Sequence, residues 1–308
     1  MDVLVTGSTG LIGSALVPAL VASGHRPVRL VRDGAGPAPD TLRWDPDAGS
    51  IDAARLAGLD AVVHLAGEAI GSRRWSESQK RRILESRTKG TGLLARTLAG
   101  LATPPSVLIS ASAVGYYGDR GDEVLTEESP PGDDFLARVC AQWEAATAPA
   151  SAAGIRVVVL RTGIVLSSVG GVLERMLRPF RLGVGGRIGS GRQYMSWIGV
   201  DDEVGAIVHA LEHATLAGPV DATAPTPVTN AEFTATLGRV LRRPAVLPTP
   251  LLPLKLRYGG ELVQHLLVGG QRVLPARLEA DGYRFAHSTL EPALRALLAR
   301  PARSRPSG

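Results

Sequence analysis

The chain has 308 residues, 44% of them hydrophobic, and a formal net charge of +5. That length and composition suit a sizeable core in one large domain or two closely joined ones. The single cysteine, Cys140, excludes an internal disulfide and fits a reducing cytoplasm; no apolar run reaches membrane-span length, and no basic leader precedes the first strand. Lysine occurs only at Lys80, Lys89 and Lys255. A basic balance suits nucleic acid, anionic nucleotides or an arginine-rich proteome, and the lack of a basic tail or of interleaved aromatic and basic residues argues against a nucleic-acid partner. No metal-ligand cluster and no G-x-S-x-G elbow is present.

In chain order, Val3-Leu4-Val5 reads as a buried strand. Gly7, Gly10 and Gly13 follow at spacing G-x-x-G-x-x-G, and an apolar helical run begins at Leu11. A dinucleotide-binding turn requires that order of strand, turn and helix. Gly7 permits the tight turn, Gly10 lets the backbone approach a pyrophosphate, and Gly13 lets the helix pack close to the strand. The free N–H groups and positive end of the helix then face phosphate. The helix is read over residues 11–23, with Gly24 ending it and Pro18 kinking it. The second strand, 28–32, ends on Arg32. An arginine there suits the 2′-phosphate of NADP, whereas an acidic residue suits the ribose of NAD. Asp33 follows and keeps the second alternative open.

A Gly/Pro-rich loop leads to a third strand, 41–44. Residues 59–67 read as a fourth, ending in small residues, with Glu68 at the carboxyl end where doubly wound sheets bind ligands. His64, inside that strand, reads as a packed residue. The run from Arg73 to Lys89 reads mostly as a solvated basic helix face, with Arg87 turned toward the cleft. A fifth strand, 107–110, runs into Ser112-Ala113-Val114-Gly115-Tyr116-Tyr117-Gly118. An acidic loop follows, then a helix over 135–153 and a sixth strand, 157–160, ending near Arg161.

Beyond residue 165 the alternation weakens. The glycine-rich stretch 183–191 reads as a mobile or ligand-facing loop. Asp201-Asp202 cap a helix, residues 220–222 form a further strand, and Thr229-Asn230-Ala231-Glu232 is a capping box. Residues 244–300 read as mostly helical and 301–308 as a frayed tail. The fold class is α/β: a doubly wound parallel sheet of Rossmann type in order 3-2-1-4-5-6. Residues 1–165, completed by 197–224, form the dinucleotide domain. Residues 166–196 and 225–300 form a smaller, mostly helical substrate region.

With these pieces in order, the chain resembles an extended short-chain dehydrogenase/reductase of the NAD-dependent epimerase/dehydratase kind. Within it, the chain is similar to an atypical subgroup called epimerase family proteins, which carry a C-terminal domain of unknown function. The residues that carry the likeness are Ala66-Gly67-Glu68, Arg74-Trp75, Ser86-Arg87, the 112–118 segment, Gly132-Asp133-Asp134-Phe135-Leu136 and Trp143-Glu144. Further on come Gly189-Ser190-Gly191-Arg192-Gln193, Trp197 to Asp202 and Gly270-Gln271-Arg272-Val273-Leu274-Pro275. Gly199 departs from the pattern, where the subgroup commonly has histidine. The resemblance implies NADP(H), held by Gly7, Thr9, Gly10, Leu11, Ile12, Gly13, Arg32, Leu65, Ala66, Gly67, Arg87 and Arg161. Arg82 is a further helix position that approaches the cofactor in relatives. The substrate is a small molecule that the resemblance does not supply.

Ordinary members of the superfamily move a proton with a Tyr-x-x-x-Lys pair while the nicotinamide moves hydride. The helix after the fifth strand has no tyrosine, and no lysine occurs between Lys89 and Lys255. Three readings follow. The protein is an oxidoreductase or epimerase acting on a carbonyl or sugar nucleotide, with Ser112, Tyr116, Tyr117 and Glu68 as candidate catalytic groups. It is an NADP(H)-binding sensor or interaction protein without turnover. Or the fold holds a different nucleotide. The expected setting is cytoplasmic, without nucleic acid or membrane, as a monomer or homodimer.

Overall fold

The computed structural model describes residues 1–32, 40–71 and 73–299. Asp33 and the tail from 300 onward lie outside these residues. The first strands are β1 (Asp2–Thr6), β2 (Arg26–Arg32), β3 (Thr41–Asp45), β4 (Ser50–Ile51), β5 (Ala61–His64) and β6 (Val107–Ala113). With the strands Arg156–Thr162 and Gly218–Ala222 they form one eight-stranded sheet. From one edge its order is Gly218–Ala222, Arg156–Thr162, β6, β5, β1, β2, β3, β4. Every pair is parallel except β3 with β4. The expected six-strand order is therefore present, extended by one strand at each edge.

Alternation of side chains along the strands explains the layers. Val3 and Val5 pack on one face with Leu16 and Leu20 of α1 (Leu11–Ala22) and with Val204 and Ile207 of the helix Val200–Glu212. Leu4 between them points the other way, onto Leu94 and Leu98 of α2 (Glu77–Ala99). Each such fully buried side chain contributes about 1.5–3 kcal/mol. A separate core joins Leu173 and Leu177, Trp197, Phe233 and Leu237, and Leu294 and Leu297.

Several boundaries differ from the sequence reading, each for a local reason. The fourth expected strand stops at His64, because the N–H groups of Leu65 and Ala66 turn to the Thr6 hydroxyl at 3.0 and 3.1 Å. The helix expected over 135–153 is two: α3 (Phe135–Ala145) and a short helix, Ala148–Ala152. Pro149 breaks it, lacking an N–H and crowding the carbonyl four residues back. Asp202 does not cap its own helix, whose cap is Gly199. Its carboxylate instead accepts the N–H groups of Ala286 and His287 at 2.6 and 3.2 Å, tying down the C-terminal segment. The capping box at Thr229 and Glu232 forms as read. The 183–191 loop is not open: a Cβ on Gly186 would overlap the Leu247 carbonyl.

Candidate functional site

Parallel strands end together, so the carboxyl ends of β1, β5, β6 and Arg156–Thr162 form one edge. In register, Thr6 lies beside His64, His64 beside Ser110, and Ser112 beside Arg161. The glycine turn leaves β1 at this edge. Gly7 sits at φ +65°, and a Cβ there would come within 2.8 Å of the Leu65 carbonyl carbon. A Cβ on Gly13 would overlap the Gly7 carbonyl, so only glycine lets α1 start this close to the strand. Gly10 caps α1 with no side-chain hydrogen bond. Its own Cβ position meets only the Gly7 carbonyl, at 3.2 Å. The first turn of α1 thus presents N–H groups outward without a capping side chain, which is what an anion needs. Thr9 and Gly10 are exposed, and Leu11 and Ile12 are half-buried. Arg32 is exposed at the end of β2.

Beside the turn, Leu65 and Ala66 are half-buried and Gly67 is exposed. Arg87, one of the basic residues on α2, lies against Gly67, a Cβ on which would be 3.5 Å from its guanidinium carbon. The Arg87 Nη1 donates to the carbonyls of Glu68 and Ile83 at 3.0 and 3.1 Å. Its guanidinium stacks 4.9 Å over Trp143, and burial pulls its pKa below the ordinary arginine value. The backbone of Glu68 is held by the Ser86 hydroxyl at 3.1 Å, and its carboxylate lies 3.8 Å from Arg82. His64 is fully buried between the hydroxyls of Thr6 and Thr91, at 2.8 and 3.0 Å, and burial lowers its pKa to about 4. It is a neutral strut, as its place in the strand suggested.

Behind this edge lies a buried polar network whose centre is Arg161, with 4% of its side chain exposed. Its Nε and Nη2 donate to the two Glu144 oxygens, both at 2.9 Å, and Nη1 donates to the Tyr117 hydroxyl at 3.0 Å. Burial opposes the arginine charge, but the Glu144 contacts outweigh it, so its pKa stands above the ordinary value. The Tyr117 hydroxyl donates to Asp221 at 2.8 and 2.9 Å. Burial, then the Asp221 charge, raise the Tyr117 pKa, which keeps it a proton donor within the network. Burial, then Glu127, raise that of Asp221. Glu127 in turn accepts the N–H groups of Asp221 and Arg277. Ser112, 4% exposed, donates its proton to Glu144 at 2.7 Å. Tyr116 is half-buried, its ring 3.5 Å beneath the Arg161 guanidinium.

The sequence-read candidates therefore divide. The glycine turn, Arg32, Leu65, Ala66, Gly67, Arg87 and Glu68 gather along the strand ends. Arg161 and Tyr117 do not face that edge through any free polar atom: each is committed to partners inside the fold. Ser112 has spent its hydroxyl proton on Glu144, leaving it an acceptor. α3 carries neither a tyrosine nor a lysine, and on its buried face Leu136 and Cys140 pack near Gly115. Burial, then the Glu144 charge, push the Cys140 thiol up to about 12, so it is an inert structural thiol.

Residues to which the sequence reading gave no site role also converge here. Asp134 caps α3 through one oxygen, accepting the Ala137 N–H at 2.8 Å, and holds His265 Nδ1 with the other at 3.1 Å. The imidazole stacks on Trp75. With the two partners 131 positions apart, no local spacing reveals the pair. The partners of the Glu144, Asp221 and Glu127 carboxylates likewise show only once the chain is folded.

The family model described as "NAD dependent epimerase/dehydratase family" matches residues 3–220, and that of a domain of unknown function, DUF1731, matches 249–297. An epimerase family protein of Mycobacterium bovis is 46% identical over 301 residues, covering 97% of this chain and 98% of that protein. The human epimerase family protein SDR39U1 is 39% identical over 302 residues, covering 97% and 100%. Among solved structures, that of human SDR39U1 isoform 2 with NADPH has a TM-score of 0.88 at 37% identity, covering 98% of this chain and 100% of that one. A nucleoside-diphosphate sugar epimerase from Corynebacterium glutamicum has a TM-score of 0.79 at 39% identity, covering 99% of this chain and 59% of that one.

Proposed function

The chain belongs to the NAD dependent epimerase/dehydratase family, and on that premise we propose that it binds NADP(H) on the glycine turn and acts as an oxidoreductase or epimerase on a carbonyl or sugar-nucleotide substrate. The observation that carries the reading is the uncapped start of α1 at Gly10, open to solvent beside Gly7 at φ +65°. That backbone fits a pyrophosphate. The NADPH-bound human relative, similar over the whole chain, supports the choice of cofactor. Arg32 is the group for a 2′-phosphate, and Arg87 with Gly67 borders the cofactor at the end of β5.

When bound, the nicotinamide supplies or accepts hydride. The proton must be handled by this chain's own groups, without a Tyr-x-x-x-Lys pair. Glu68 and Tyr116 are the candidates that are not fully buried, and Asp134 orients His265 at the start of α3. Ser112, Tyr117 and Arg161 support them from below: Glu144 fixes Ser112, and Arg161 holds the Tyr116 ring.

Cofactor choice is tested by calorimetry. NADPH should bind more tightly than NADH, and Arg32→Ala should remove about 1.5–3 kcal/mol of the NADPH affinity. Equal affinities in the unaltered protein would make Arg32 a solvated strand end. The missing pair favours a second reading, a binding protein without turnover. Transfer of labelled hydride from NADPH to any carbonyl or sugar nucleotide supports the enzyme. A cofactor-loaded protein inert across a broad screen supports the sensor.

A further inference from the structure

Large apolar side chains exposed to water are concentrated on one face. Leu182, Val184, Val246, Leu247, Leu252 and Leu256 are each between 59% and 81% exposed. They lie on two segments folded against each other. The Thr249 N–H donates to the Arg187 carbonyl at 2.8 Å, its hydroxyl donates to the Gly186 carbonyl at 3.0 Å, and a Cβ on Gly183 would touch Pro244. The helix Leu251–Tyr258 reads LLPLKLRY, yet none of its side chains is buried. Leu252 and Leu256 stand four apart on one side of it.

Charge is segregated on the same segments. Residues 175–200 and 233–260 contain no aspartate or glutamate, and they hold ten of the 34 basic side chains. With a net charge of +5 for the whole chain, the remainder is net negative. Arg181, Arg187, Arg242, Arg243, Lys255 and Arg257 are all exposed, and among the described residues none forms an ion pair. Arg239, behind them, is paired with Glu291 at 3.0 Å.

We propose that this face seats the protein on an anionic lipid bilayer, with the leucines at the boundary of headgroups and acyl chains and the arginines on lipid phosphates. A second copy docked on the same face would oppose like charge. A nucleic acid would use the charge but leave the leucines in water, and the rings beside the face, Phe180 and Tyr258, are buried and half-buried, the latter with Arg257 over it. A bilayer surface takes both features at once. The contact is peripheral, because no helix among the described residues is long and apolar enough to cross a membrane. Just beyond the helix, a Cβ on Gly259 would lie 3.0 Å from Arg74, and Glu261 pairs with Lys80 at 2.7 Å. The membrane face therefore adjoins the segment that follows Glu68 at the candidate site.

Vesicle flotation with the full chain tests this. The protein should float with vesicles containing phosphatidylglycerol, not with phosphatidylcholine alone, and raised salt should weaken the association. Arg242→Glu with Arg243→Glu, and separately Leu252→Ser with Leu256→Ser, should each reduce partition on the order of tenfold or more. Both pairs are exposed, so circular dichroism should be unchanged. A Leu252→Trp variant should be quenched by lipids brominated in the tail. No partition at low salt, indifference to either double substitution, or binding without quenching would each overturn the proposal. So would tighter binding to duplex DNA or polyglutamate than to the vesicles.

Discussion

Replacing Arg161 with methionine separates two roles for that residue. As a cofactor ligand, its loss would weaken NADPH binding and leave the fold intact. As the centre of a buried network, its loss strands the Glu144 carboxylate without its cation and takes a donor from the Tyr117 hydroxyl. The pair is 4% and 15% exposed and held by two 2.9 Å bonds. Removing one partner from such a pair costs about 3–5 kcal/mol, because the other charge stays buried. For a chain of this size that lowers Tm on the order of 5–10 °C. Urea unfolding gives the stability, and calorimetry at low temperature gives the affinity of the folded variant, expected within about twofold of the unaltered protein. Unchanged stability with a tenfold or greater loss of NADPH affinity would refute the network and return Arg161 to the cofactor.

Other expectations follow from the same geometry. Glu203 is fully buried, with one oxygen held by Thr162 at 2.8 Å and the other unpartnered, and burial raises its pKa from 4.5 to about 8. The folded chain holds this proton where the unfolded chain has released it, so stability is lost as pH rises from 4.5 through 8. Glu203→Gln should match the unaltered protein at pH 5 and exceed it on the order of 3–5 kcal/mol at pH 9, by denaturant unfolding; equal stability at both would contradict the burial cost. Tyr117→Phe should destabilise by about 1–3 kcal/mol by leaving the Asp221 carboxyl without its side-chain partner. Tyr116→Phe should leave stability nearly unchanged and lower hydride transfer to any substrate found. The reverse pattern would put the working hydroxyl on Tyr117.

The parts of the fold set by local chemistry were legible in the sequence. Three glycines after a three-residue apolar strand have one common use, and the alternation of Val3, Leu4 and Val5 assigns both faces of the sheet. The capping box at Thr229 depends on four consecutive residues. The misread features depend on distant chain. Strand β5 is cut short by a hydroxyl on Thr6, 59 residues away from Leu65. Asp202 looks like a helix cap until Ala286 and His287 arrive to claim it. Arg161 stands at a strand end, and its pairing with Glu144, 17 residues earlier, shows only in the folded chain. A strand end says where a side chain stands but not which buried partner it meets.

The central claim is that the turn from Gly7 to Gly13 holds NADP(H). Gly10→Val tests it most directly, because the Gly10 backbone is extended at φ −73° and ψ 178°, and its Cβ position meets only the Gly7 carbonyl. The variant should fold, with its branched side chain where the pyrophosphate would approach. Calorimetric titration of NADPH should give saturable binding to the unaltered protein and a loss of at least about tenfold in the variant, which is ~1.4 kcal/mol or more. Undiminished binding by a folded Gly10→Val protein would contradict the account.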